Sequence, residues 1–113
     1  MKLVFQLWVS FWRWLLRRPS PVRVERVLEV PDKLRPNTLY VESEAGNEWL
    51  AAMLCPCKCG EVLHLSLLPN DRPRWEVTEE RDGTATVHPS VWRKAGCRSH
   101  FWIRHGGVHW CKD

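Results

Sequence analysis

The sequence predicts an α+β protein that is mostly β: a small antiparallel β domain behind an N-terminal amphipathic helix. Three observations carry that expectation. The first 18 residues, MKLVFQLWVSFWRWLLRR, have helical spacing. The remainder alternates apolar and polar residues in short runs broken by Pro and Gly. Five cysteines, three of them in one hexapeptide, offer a staple for a chain of 113 residues, which is long enough for one modest core.

In residues 1–18 the polar positions Lys2, Gln6, Ser10, Arg13 and Arg17 recur at spacings of three or four. They form a narrow polar stripe on an apolar cylinder that carries Trp8, Trp12 and Trp14. Arg13 inside the run makes spanning a bilayer unattractive. Three roles remain for this helix: a cover for the domain's own sheet, a peripheral membrane contact at the headgroup level, or a docking helix for a partner. Pro19 and Pro21 stop it, and residues 19–37 read as a Pro-containing connector that already shows a β-like pattern in VRVERVLEV. The zinc-binding β domain is expected over residues 38–113, for reasons set by its cysteines below. TLYVES reads as a strand that ends in a turn at Ala45-Gly46-Asn47, and EWLAAML as strand or a short helical turn. EVLHLSLL alternates cleanly. RWEVTEE and TATVH flank RDG as one hairpin, and FWIRH and VHW flank Gly106-Gly107 as another. Between them, Ser90 is expected to cap a short helix, VWRK.

Charge narrows the function classes. The chain has 17 Lys plus Arg against 13 Asp plus Glu. Six of the basic residues and only one acidic residue fall within residues 1–26. Basicity therefore belongs to the N-terminal arm, and a near-neutral domain is a poor binder of nucleic acid. The apolar start is interrupted by arginines and lacks a small-residue cleavage site, so a cytoplasmic location is expected, with membrane-peripheral contact through residues 1–18 as one variant. In that reducing setting, clustered cysteines point to metal rather than disulfides.

The cysteine-rich hexapeptide CPCKCG places Cys55, Cys57 and Cys59 at alternate positions, and CRSH supplies Cys97 and His100 at a Cys-x-x-His spacing. Zn2+ takes four such ligands in a tetrahedron. Three ligands from one extended segment would crowd it, so the expected set is Cys57, Cys59, Cys97 and His100, with Cys55 and Cys111 in reserve. That gives the metal site a zinc-ribbon-like character. Four ligands drawn from six candidates leave two over, and one of those could be reactive, which makes Cys55 a candidate nucleophile. Were the zinc open to water, Glu61 beside Cys59 would be its general base. Ser90 is a third catalytic candidate, with His88 or His100 as base, although no Gly-x-Ser-x-Gly elbow surrounds it. Arg98 and Ser99 sit where they could hold the ligand loop.

The string CPCKCGE, LHLSLL, RPRW, TVHPSVW, GCRSHFWI, GGVHW resembles an uncharacterised family of small bacterial proteins. Their pattern runs Cys-Pro-Cys-x-Cys-Gly, a Trp-bearing strand, Pro-Ser-Ile/Val, Cys-x-Ser-His-Phe and a closing Trp. The resemblance covers Trp49 to Cys111, and Lys58 stands where the family often has Gly. It implies a zinc-binding protein, encoded in some members beside ubiquitin-like proteins and their E1- and E2-like enzymes, in gene clusters linked to phage defence. The activity so implied is a peptidase that matures or removes a ubiquitin-like protein, with that protein or its E1/E2-like enzymes as partners. The competing expectation is a non-catalytic structural zinc domain that serves as a protein-interaction module.

Overall fold

A computed structural model describes residues 20–111. The strands are β1 (Arg23–Val27), β2 (Thr38–Glu44), β3 (Asn47–Leu54), β4 (Val62–Ser66), β5 (Glu76–Glu79), β6 (Ala85–Trp92), β7 (His100–Arg104) and β8 (Gly107–Trp110). They form two four-stranded sheets, ordered β1-β2-β3-β4 and β5-β6-β7-β8. Alternation explains how the sheets meet. Leu39, Val41, Ala51, Met53, Leu63 and Leu65 from the first sheet pack into one core with Ala85, Val87, Val91, Phe101 and Ile103 from the second. Their neighbours His64 and Arg104 face solvent. Each large core side chain contributes about 1.5–3 kcal/mol of burial free energy.

The α+β expectation is corrected by this architecture: the described residues are all β, with eight strands and no helix. The predicted helix over residues 1–18 lies outside the described residues. The short helix over VWRK is replaced by the end of β6, where Val91 pairs with Phe101 and Trp92 with His100. A β-branched and an aromatic residue gain more from cross-strand partners than from an isolated helical turn.

One pairing departs from the mostly antiparallel arrangement that the sequence predicts. β1, within the Pro-containing segment, pairs with β2 in parallel, from Arg23↔Thr38 to Val27↔Glu42. Its other side stitches the two sheets together. Val22 N–H donates to Gly106 O (2.8 Å), Ala85 N–H to Val22 O (2.9 Å) and Val24 N–H to Gly83 O (3.0 Å). The approach is so close that a Cβ on Gly106 would lie 2.7 Å from Pro21 Cβ, and its φ of +79° is one that glycine adopts freely. On the opposite flank of the molecule, where β4 faces β6, no backbone bond joins the two strands directly among the described residues, and Trp75 bridges them by donating to Ser66 O and Ser90 O.

Candidate active site and metal centre

The CPCKCG segment does not continue β3 as an extended strand. It turns at Pro56 and Cys57, with Lys58 N–H donating to Cys55 O at 3.0 Å. Lys58 (φ +67°) and Gly60 (φ +86°) both adopt left-handed backbone. This curl lets three sulfurs of one segment converge, which alternate positions on a straight strand would not. Cys97 arrives from the loop Arg93–Ser99 between β6 and β7. The Sγ atoms of Cys55, Cys57, Cys59 and Cys97 all lie within 4.8 Å of one another. Cys55 Sγ is 3.2 Å from Cys57 Sγ and 3.6 Å from Cys97 Sγ. A tetrahedron with Zn–S bonds of about 2.3 Å has sulfurs about 3.8 Å apart, so the donor set fits such an ion. Cys55 takes the place expected for His100, and Cys111 stands outside the cluster.

The surroundings treat these thiols unequally. Burial pushes Cys55 up to about 12, whereas the Ser99 hydroxyl, with Oγ 3.2 Å from Cys97 Sγ, brings Cys97 down to about 6. A hydrogen bond from Cys55 lowers Cys57. Arg93 covers the cluster: its Nη1 donates to Cys97 Sγ at 3.4 Å and to Cys59 Sγ at 3.9 Å. Its other nitrogen pairs with Glu61, and that hydrogen bond raises the Arg93 pKa. Four thiolates around a divalent ion would carry a net charge of −2, and the guanidinium stands where it would partly offset that charge. The Glu61 carboxylate is thus engaged by Arg93, beside the cluster rather than among the ligands.

His100 instead points away from the sulfurs. Its Nε2 lies 2.9 Å from Ser90 Oγ. Two local features produce the meeting. In β6, Val87 pairs with Ile103 and Val91 with Phe101, so His88, Pro89 and Ser90 together oppose Trp102 alone. Such a bulge re-aims side chains, and bulges are frequent beside active sites. Across the ladder Trp92 pairs with His100, and their rings stack at 5.2 Å and 18°. Because Val91 and Phe101 point into the core, Ser90, Trp92 and His100 share the outer face of their sheet. His88, the other expected base, lies by Trp102, with ring centroids 5.9 Å apart.

The metal-candidate cluster and the Ser90–His100 pair are consecutive along the chain. Cys97 and Ser99 lead directly into His100, and Arg93 follows the strand that carries Ser90. Sequence reasoning missed Arg93, whose four-residue spacing from Cys97 was the available signal. It also missed Trp92 as the ring that supports His100, which only the strand register reveals. Ser99 does lie against the ligand loop, with its Oγ 3.2 Å from Cys97 Sγ and accepting from Cys55 Sγ at 3.9 Å, whereas Arg98 is exposed.

A family model described as "Bacterial ubiquitination-like system serine protease (BubE)" matches residues 26–111. That description bears out the association with a ubiquitin-like system read from the motifs. Among curated proteins and among solved structures nothing matches the chain.

Proposed function

Because the chain belongs to the bacterial ubiquitination-like system serine protease family, BubE, we propose that it is a peptidase that matures or removes a ubiquitin-like protein, with Ser90 as nucleophile and His100 as base. The observation that carries this reading is the 2.9 Å contact between Ser90 Oγ and His100 Nε2. With the ring protonated at Nδ1, Ser90 Oγ donates to Nε2. Attack of Oγ on the scissile carbonyl passes the hydroxyl proton to Nε2. Collapse of the tetrahedral intermediate breaks the C–N bond, and His100 returns the proton to the departing amine. Water then attacks the Ser90 ester, giving its proton to Nε2, and release of the acid returns that proton to Ser90. Among the described residues no carboxylate hydrogen-bonds to His100; stacking on Trp92 fixes the plane of its ring instead.

Zinc is the metal the four-sulfur set suits best, and its bound form supplies a structural crosslink. Cys55, Cys57, Cys59 and Cys97 would hold it. They thereby tie the loop that leads into His100 to the turn between β3 and β4. With four sulfurs the tetrahedron is filled, so Glu61 and Cys55 are assigned to the metal centre rather than to the chemistry. Partners are expected among the proteins of the same pathway, the ubiquitin-like protein first.

The test is covalent labelling of the purified protein with a fluorophosphonate, located by mass spectrometry. Labelling at Ser90 that vanishes in Ser90→Ala and falls sharply in His100→Ala supports the reading. A label elsewhere, or one indifferent to both changes, overturns it. A second reading, a non-catalytic zinc module, draws on the exposed Trp92 and Trp110. Retention of pathway function in Ser90→Ala would select it.

A further inference from the structure

β4 is an edge strand whose open side, among the described residues, is bonded at Ser66 and open at Val62 and His64. Its ladder with β3 has a phase set by its ends: Cys55 N–H donates to Glu61 O (2.9 Å) and Leu67 N–H to Trp49 O (3.1 Å). In an antiparallel pair, bonded residues alternate. Leu63 and Leu65 therefore bond toward β3, while Val62 and His64 aim their N–H and C=O groups away from the sheet. Ser66 O, aimed the same way, accepts Trp75 N–H at 2.9 Å.

β6 is complementary. Arg93 N–H donates to Ser99 O at 2.8 Å, so Val91 and Arg93 bond toward β7, and Ser90 and Trp92 aim their backbone the other way. β5 pairs with β6 only as far as His88. Ser90 O accepts the Trp75 indole N–H at 3.2 Å. No hydrogen bond reaches the outward backbone groups of Val62, His64 or Trp92 among the described residues. A cavity of about 360 Å³ lies between the two strands, lined by Val62, His64, Trp75, Val91, Trp92 and Arg93.

Proteins ordinarily blunt an open edge with charge, Pro or a bulge. β5 does so with Glu76 and Glu79, whereas VLHLS in β4 carries none of these. An unguarded edge, facing the unused N–H and C=O of Trp92 two residues from the nucleophile, matches the hydrogen-bonding pattern of an extended peptide. We infer that the cleft between β4 and β6 binds the substrate's peptide in extended form, through the backbone of Val62 and His64 on one wall and of Trp92 on the other. Trp75 and Trp92 receive an apolar side chain of that peptide. The assignment rests on the reading of Ser90 as nucleophile and adds to it the class of substrate: an unfolded segment with apolar residues at alternate positions.

The test uses the full chain carrying Ser90→Ala, so that no cleavage intervenes. The probe is the blocked peptide acetyl-Thr-Leu-Thr-Leu-Thr-Gly-amide, followed by tryptophan fluorescence and calorimetry. The expected result is saturable binding, weakened at least tenfold by His64→Pro, which deletes the outward N–H without touching the ladder to β3. His64→Ala, which keeps that N–H, is expected to bind within twofold of the parent. A second measurement avoids any folding defect. Of two analogues N-methylated at the Leu or at the Thr positions, at least one is expected to lose tenfold. Absence of saturable binding, or equal binding by folded His64→Pro and by both methylated analogues, overturns the inference. Fluorophosphonate labelling of Ser90 in the otherwise unchanged protein needs no peptide. Labelling without peptide binding removes the cleft alone; peptide binding without labelling removes the nucleophile alone.

Discussion

At the cysteine centre, three of the four sulfurs come from one turn, and the fourth crosses from a segment 42 residues later to lie 3.6 Å from Cys55. At the Ser90–His100 pair, both partners belong to adjacent strands, yet they meet only because β6 carries extra residues between Val87 and Val91. One region is written into a short string and closed by long-range contact. The other is written into the register of a hairpin. The Arg93–Ser99 loop joins them, so the hairpin that carries Ser90 and His100 has its loop held at the cysteine cluster. The difference teaches that damage should travel one way, from sulfur to serine.

The largest effect tests that direction. Chelation, or Cys97→Ala, is expected to release the metal, to cost at least about 5 kcal/mol of the ~10–16 kcal/mol that a structural zinc supplies, and to abolish labelling of Ser90. Metal analysis, calorimetry and fluorophosphonate labelling read these in turn. Ser90→Ala should do the reverse. Turnover of a ubiquitin-like fusion is expected to fall at least ~10⁴-fold, while metal content and melting temperature stay at the parent values. An equal loss of metal in both variants would break the comparison. Arg93→Met removes the N–H groups over Cys97 and Cys59 and frees Glu61. Metal affinity is expected to fall about 10–100-fold, measured by competition with a chromophoric chelator. Trp92→Leu deletes the ring stacked on His100, and the labelling rate is expected to drop about tenfold with unchanged metal affinity. The smallest effect is a gain. Lys58→Gly removes a side chain from left-handed backbone (φ +67°) and is expected to stabilise the metal-loaded protein by about 1 kcal/mol, seen as a rise in melting temperature.

The same contrast explains what could be read from the sequence. Most strands and the Gly-containing turns follow from local alternation, and Cys57, Cys59 and Cys97 from local spacing. His100 was expected among the ligands because Cys-x-x-His is a common ligand spacing. That spacing carries no information about strand register, and pairing with Trp92 turns the imidazole to the outer face of the sheet. The helix cap expected at Ser90 gives way to a bulge, because a bulge is defined by its partner strand, here by Trp102, and not by its own residues. VRVERV lies in the expected connector, and its alternation suits a strand without saying which neighbour it joins or which way that neighbour runs. An extended strand would leave Cys55 outside the ligand set, and the left-handed Lys58 and Gly60 curl the segment so that it joins.

The seam at Val22 has a consequence for synthesis. β1 is the first described strand to leave the ribosome, and its hydrogen bonds to Gly83, Ala85 and Gly106 cannot form until almost the whole chain has emerged. The core between the sheets and the centre around Cys97 wait equally long. Contacts so distant in sequence make folding slow, and the nascent chain must carry an unpaired first sheet in the meantime. A force profile on stalled nascent chains is expected to show one late rise, once Gly107 has cleared the exit tunnel, rather than a stepwise increase strand by strand.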